Sequence, residues 1–180
     1  MRLYLVRHLQ PMVAAGVCYG RSDLPVNPQL LAAALPALRA QLPCDAPLFS
    51  SPLLRCASLA RALPGAAHVD ARLAELDFGA WEMQRWDDIP RAQIDAWAAD
   101  VAQYRPGGGE SVCDMAGRIC AFYDELAERQ LASAVVICHA GAIRLLAARA
   151  RGLGPLDMAR AAAARPHAIG YGETIVVDSV

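Results

Sequence analysis

Two histidines and two arginines in this sequence follow short apolar runs that read as buried strands. Arg7 and His8 come directly after residues 3–6, Leu-Tyr-Leu-Val. Ser50, Ser51 and, a few residues on, Arg55 follow residues 47–49, and His139 follows residues 135–138, Val-Val-Ile-Cys. In an open α/β sheet the ligand crevice lies outside the carboxyl ends of the strands, so all four side chains are expected at one edge. One histidine after a strand is as well explained as a loop residue bonded to the backbone. His68 and His167 lack even that context. Four such groups together suit a dianionic phosphate. Arginine forks neutralise and orient it, the amides of the helix after His139 add donors, and a neutral imidazole is a nucleophile.

The elements that must position these groups alternate along the chain. Residues 3–6 read as a strand, and Asn27-Pro28 as the cap and first turn of a helix through residues 30–42 that Pro36 kinks or splits. Residues 47–49 form a second strand; Ser50-Ser51-Pro52 then caps and opens a helix that carries Arg55 and stops before Pro64-Gly65. A third strand is expected over residues 68–72, a loop over 73–86 and a helix over 87–99. Ser111 and Asp114 resemble a capping box, with Asp in place of Glu, at the start of a helix to about Gln130. Residues 134–138 are apolar throughout, as in strands that parallel sheets bury on both faces; a helix over 141–151 and a final strand over 174–180 follow. Gly107-Gly108-Gly109 reads as a plain loop, because the Lys-Ser/Thr ending of a phosphate-cradling loop is absent. The expected fold is a single-domain three-layer α/β/α sandwich with a mostly parallel central sheet, residues 1–180 forming one domain.

Composition narrows the class. With 180 residues, of which 56% are hydrophobic, the chain can build a core without covalent staples. Its 17 basic residues, all arginine, stand against 18 acidic ones. That balance leaves no basic excess to track a nucleic acid and no polybasic segment for a membrane surface. Most of the arginines reflect a compositional bias shared with alanine. The start, MRLYLVRH, is too short an apolar run for a signal peptide or a spanning helix, so a cytoplasmic protein is expected. The six cysteines are scattered without a Cys-x-x-Cys pair and read as reduced, mostly buried thiols.

Five segments, in order, resemble those of the histidine phosphatase superfamily, also called phosphoglycerate mutase-like. Leu3-Tyr4-Leu5-Val6-Arg7-His8 resembles its Arg-His-Gly opening, and Ser51-Pro52-Leu53-Leu54-Arg55-Cys56-Ala57 its second arginine segment. Leu73-Ala74-Glu75-Leu76-Asp77-Phe78-Gly79-Ala80-Trp81-Glu82 resembles its acid segment. Residues 106–111 resemble its Pro-x-Gly-Glu-Ser loop, and Cys138-His139-Ala140-Gly141 its Gly-His-x-Gly. The resemblance implies a phosphatase of that fold acting on a small-molecule phosphate ester, with no cofactor and no metal. His8 would attack phosphorus and become a phosphohistidine. Arg7, Arg55 and His139 would hold the equatorial oxygens with help from Ala140, and Glu75 would protonate the leaving oxygen. A backbone carbonyl is expected to hold the proton on the other nitrogen of His8. Glu82 is the rival acid, expected instead to brace the loop or contact substrate; Phe78 and Trp81 are expected to be packing residues.

Residues 16–23 most resemble the corresponding segment of bacterial α-ribazole phosphatases of cobalamin assembly, which would place Tyr19, Gly20 and Arg21 at the phosphate pocket. Mutase chemistry is not expected, since the mutases are longer between the acid and the second histidine. Three departures stand out: Leu9 replaces the family glycine, Gln10 the usual acidic residue, and Met83 the glycine of Trp-Glu-Gly. Two rival readings follow. One is a cysteine-dependent phosphatase, because residues 138–144 satisfy Cys-x-x-Gly-x-x-Arg with Cys138 and Arg144. The other is a catalytically impaired phosphate-ligand binding module.

Overall fold

The computed structural model describes residues 1–164 and 168–178. Five strands, β1 (Arg2–Arg7), β2 (Leu48–Ser50), β3 (Ala67–Val69), β4 (Ser133–Cys138) and β5 (Thr174–Asp178), form one sheet in the order β3-β2-β4-β1-β5. The first four in that order are parallel, and β5 closes the sheet antiparallel to β1. Register brings the functional residues to one edge: Arg7 lies opposite Cys138, and Ser50 opposite Ile137. The residues that follow, His8, Ser51 and His139, therefore leave the sheet side by side.

Among the described residues six helices cover it: α1 (Pro28–Gln41), α2 (Leu54–Ala62), α3 (Arg91–Ala99), α4 (Val112–Glu128), α5 (Ala140–Ala150) and α6 (Pro155–Ala163). Side chains alternate across a strand, and β4 shows the consequence. Ala134, Val136 and Cys138 pack with Leu3, Leu5 and Phe49 against α4, α5 and α6. Val135 and Ile137 pack with Val6 and Leu48 against Leu38 of α1 and Leu59 of α2. Each fully buried Leu or Ile adds about 2 kcal/mol on either face. The three-layer, single-domain sandwich expected from the sequence is thus present. A third cluster, built on Cys18, Trp81 and Ile89 with Phe78, Trp86, Trp97 and Tyr104 around it, roofs the loop-rich stretch between β3 and α4.

Several local expectations need correction. The helix expected from residue 87 starts at Arg91, after a 3-10 turn at Trp86–Asp88, because Pro90 occupies the N-cap in extended conformation. The strand expected over residues 68–72 ends at Val69, since the Asp70 carboxylate accepts the Arg72 amide and turns the chain into a 3-10 turn. The N-cap of α2 is Leu53; Ser51 contributes only its hydroxyl, which accepts the Leu53 amide at 3.3 Å. Pro36 does not split α1, where Leu31, Leu35 and Leu38 hold turns on both sides of it against the core. Helix α6 was not anticipated, although Gly154-Pro155 followed by Asp157 is a helix-start signal. The Ser111–Asp114 capping box is present with both bonds. His167 and residues 179–180 of the expected last strand lie outside the described residues.

Candidate active site

His8 sits at the end of β1 with 3% of its surface exposed. Its amide donates to the Cys138 carbonyl at 3.0 Å, extending the β1–β4 ladder by one bond and fixing its backbone. Its Nδ1 lies 2.7 Å from the Leu9 carbonyl. A carbonyl only accepts, so Nδ1 carries the proton and Nε2 keeps its lone pair. Burial, reinforced by the charges of Arg55 and Arg7 and opposed by the Leu9 carbonyl, pushes the imidazole down to about 3. At neutral pH the ring is uncharged and nucleophilic on Nε2. The side chain lines a cavity of about 400 Å³ together with Arg7, Arg55, Glu75, Tyr19, Ala140, Gly141 and Arg144.

Arg55, on the first turn of α2, is 1% exposed, and among the described residues it enters no ion pair. Its guanidinium instead donates to the carbonyls of Ser22, at 2.8 Å, and Gly20, and through Nε to His139 Nδ1 at 3.2 Å. Arg7 donates to the Ile169 carbonyl, while its Nε is buried without an acceptor. Both cations keep charge available to a ligand.

His139, the fully buried N-cap of α5, lies with its ring centroid 5.0 Å from that of His8. It does not line the cavity. Its Nδ1 accepts from Arg55 and its Nε2 lies 2.8 Å from the Ser51 hydroxyl, so neither nitrogen is left for a phosphate oxygen. Burial first, then the positive charge of Arg55, hold it well below the usual histidine value. In this arrangement His139 backs Arg55.

Glu75 reaches the cavity from the stretch after β3, accepting the Leu76 amide at 3.0 Å and the Gly141 amide at 3.1 Å. The approach to α5 is close: a Cβ on Gly141 would fall 2.4 Å from Glu75 Oε1, so the carboxylate would have to shift. Arg118 of α4, which no sequence motif marks, holds the segment from behind. It donates to the carbonyls of Arg72, Ala74 and Glu75 and pairs with Glu110 at 2.8 Å. Gly107 and Gly109 clasp the same segment, since a Cβ on either would strike its backbone at 2.3 or 2.2 Å. The glycine loop is therefore a packing device.

Of the other expected site residues, Tyr19 and Ala140 line the cavity. Gly20 does not; its carbonyl receives Arg55, and a Cβ there would meet the Leu76 carbonyl at 1.9 Å. The Arg21 side chain is exposed and lies 3.8 Å from Asp77, outside the cavity wall. Glu82 is also outside it. Its two oxygens accept the amides of Gly20, Arg21, Ser22 and Phe78 and the Ser22 hydroxyl, tying two loops together. Burial raises the Glu82 carboxyl, but these donors outweigh it and leave the group below the ordinary value. It is a brace.

Cys138 faces the core and is fully buried, away from the cavity. Burial pushes its thiol well above the usual value, the reverse of what a thiolate nucleophile needs. Arg144 lines the cavity without that thiol beside it. Leu9 has no positive φ, and its side chain is buried beneath Gly172. Met83 is the strained departure, at φ +65°. Among the described residues no cluster of three or more His, Cys, Asp or Glu side chains is arranged to hold a metal ion. No helix among them is long and apolar enough to cross a membrane.

The cavity also has apolar lining, among it Val17, Leu76, Phe78, Trp86, Trp97, Val101, Met115 and Leu145. The sequence reading missed Trp86 and Trp97, whose rings stack 6.0 Å apart at 6°. It also missed Tyr171, which packs on Arg7; its setting between Gly170 and Gly172 before β5 was the available signal.

Residues 3–169 match the histidine phosphatase superfamily (branch 1). No curated protein matches by sequence. Among solved structures the chain is similar to the alpha-ribazole phosphatase of Shigella flexneri, with a TM-score of 0.79 and 27% identity over 99% of this chain and 90% of that one. It is also similar to a mycobacterial glucosyl-3-phosphoglycerate phosphatase, with a TM-score of 0.77 and 25% identity over 97% and 88%. A third similar structure is a phosphoglycerate mutase of Thermus thermophilus, with a TM-score of 0.71 and 29% identity over 99% and 93%. Because that mutase is matched over nearly its whole length, chain length does not separate phosphatase from mutase as the sequence reading assumed.

Proposed function

The chain belongs to the histidine phosphatase superfamily, whose members are phosphatases or mutases, and on that premise we propose a metal-independent phosphomonoesterase acting on a small phosphorylated metabolite. The observation that carries this reading is the neutral His8, with its Nδ1 proton held on the Leu9 carbonyl beside two unneutralised arginines. In the first step Nε2 attacks phosphorus in line, the P–N bond forming as the ester P–O bond breaks, and Glu75 gives its proton to the leaving oxygen. In the second, the Glu75 carboxylate takes a proton from the water that attacks phosphorus, and inorganic phosphate leaves with His8 restored. Arg7 and Arg55 neutralise the transferred group, Ala140 offers its helix N-terminal amide, and His139 secures Arg55.

For the substrate we propose α-ribazole 5'-phosphate, in cobalamin biosynthesis within the cytoplasm. The apolar wall around Phe78, Trp86 and Trp97 supports a leaving alcohol with a large uncharged ring body over a carboxylated one. The similarity of residues 16–23 to that subfamily supports the same choice.

The test is turnover of an aryl phosphate and of a metabolite panel including α-ribazole phosphate, in the presence of a chelator. We expect turnover, an acid-labile phosphoenzyme, loss of both in His8→Ala, and most activity retained in Cys138→Ser. Phosphate binding without turnover would leave only a binding module, and the reverse mutant pattern would restore the cysteine mechanism.

A further inference from the structure

We propose that Tyr171 is a positioning residue that acts through Arg7, holding its guanidinium at the phosphate subsite by backing it with an aromatic face. The inference rests on the reading of the Arg7–His8 edge as that subsite. The Arg7 guanidinium carbon lies 4.0 Å from the Tyr171 ring centroid, and the same ring lies 5.7 Å from that of His8. Arg7 lines the cavity and Tyr171, 42% exposed, does not, so the ring packs on the cation without forming the cavity wall.

A brace of this kind solves a specific problem. A carboxylate would hold Arg7 but cancel the charge that a phosphate needs. An aromatic face attracts the cation through its quadrupole and leaves the charge in place. Among the described residues Arg7 enters no ion pair; it is held by the Tyr171 ring and by one bond to the Ile169 carbonyl.

The ring is itself fixed from both ends. Its hydroxyl lies 2.8 Å from that of Tyr19, a cavity residue. The Gly172 amide donates to the Arg7 carbonyl at 3.1 Å and the His8 carbonyl at 3.3 Å, and the Arg7 amide donates to the Glu173 carbonyl at 3.0 Å. Gly172 has φ +73°, and a Cβ there would meet Leu9 Cδ2 at 2.9 Å. Leu9, the residue that departs from the family opening, is thus the floor under the turn that presents Tyr171.

The experiment measures binding of inorganic phosphate by calorimetry, which does not depend on turnover, together with KM and kcat on an aryl phosphate. Tyr171→Leu keeps the bulk and removes the π face; Tyr171→Phe keeps the face and removes the hydroxyl. We expect Tyr171→Leu to weaken phosphate binding about tenfold and to raise KM more than it lowers kcat, with Tyr171→Phe recovering most of the loss. In an Arg7→Ala background the Leu substitution should have no further effect. Unchanged phosphate affinity in Tyr171→Leu, a Phe variant as impaired as the Leu variant, or a full additional loss in the Arg7→Ala background overturns the proposal. Phosphate binding and the expected mutant pattern without turnover would retain it while sinking the phosphatase reading. No phosphate binding by the unaltered protein would overturn both.

Discussion

Arg55 Nε donates to His139 Nδ1 at 3.2 Å, and that bond fixes the tautomer of the second histidine. A guanidinium cannot accept, so Nδ1 is the acceptor and the ring proton sits on Nε2, 2.8 Å from the Ser51 hydroxyl. We propose that His139 acts on a bound phosphate through Arg55. A double-mutant cycle checks this. Arg55→Ala and His139→Ala should each lower kcat/KM about 100-fold, as loss of a transition-state donor does, and the double variant should be little worse than either. Losses that multiply would instead mean an independent contact by His139.

Gly141 separates a catalytic effect from a stability effect. It lies in the first turn of α5 without a positive φ, where alanine is the better helix former by about 1 kcal/mol. Yet the added Cβ would stand 2.4 Å from Glu75 Oε1. Gly141→Ala should therefore unfold no more easily than the parent while kcat falls at least tenfold, as Glu75 is displaced from the leaving oxygen. Equal activity in a stable Ala variant would remove Glu75 from the position assigned to it.

The departures at Leu9 and Met83 look alike in sequence, each replacing a family glycine, but differ in the backbone they meet. Met83 has φ +65° and is 51% exposed, so it carries left-handed strain with little burial in return. Met83→Gly should raise stability by about 0.5–1 kcal/mol, the strain relieved less the added entropy of the unfolded chain. Leu9, with no positive φ and its side chain packed on Gly172, should lose about 2 kcal/mol or more as Leu9→Gly. Urea unfolding of the two variants gives both signs.

The strand ends were legible because apolar runs mark buried strands whatever their partners, and Arg7, His8 and His139 follow such runs directly. Arg55 was legible from its place a few residues beyond the second strand, and Glu75 only through its family segment. Tyr171 and Arg118 were not, because their roles arise from contacts between segments far apart in the chain. Arg118 meets the Glu75 segment 43 positions away, and Tyr171 meets Arg7 through the return of β5 onto β1. Glu82 was expected either to brace its loop or to contact substrate; its five donors, which come from a loop about 60 positions earlier and from Phe78, could not be read from its own segment. Element boundaries were misjudged where a single residue decided them, as with the strand end at Asp70 and the helix start at Pro90.

The two site histidines give the protein a defined acid response. His8 is held down to about 3, by burial first and then by Arg55 and Arg7 against the Leu9 carbonyl; His139 is held well below its ordinary 6.5, by burial first and then by Arg55. In the unfolded chain both titrate near 6.5. Below that value the unfolded chain binds protons that the folded protein refuses, so this contribution to stability is complete above about pH 7 and is lost as pH falls toward 3. From pH 7 to about 5, above the range where free carboxylates titrate, each histidine should cost up to about 1.4 kcal/mol per pH unit. Urea unfolding over that window should show a decline corresponding to about two protons, and His8→Asn a decline smaller by about one. A His8→Asn slope equal to the parent's would mean that the folded protein does not hold His8 neutral, and with it the nucleophile assignment would lose its physical basis.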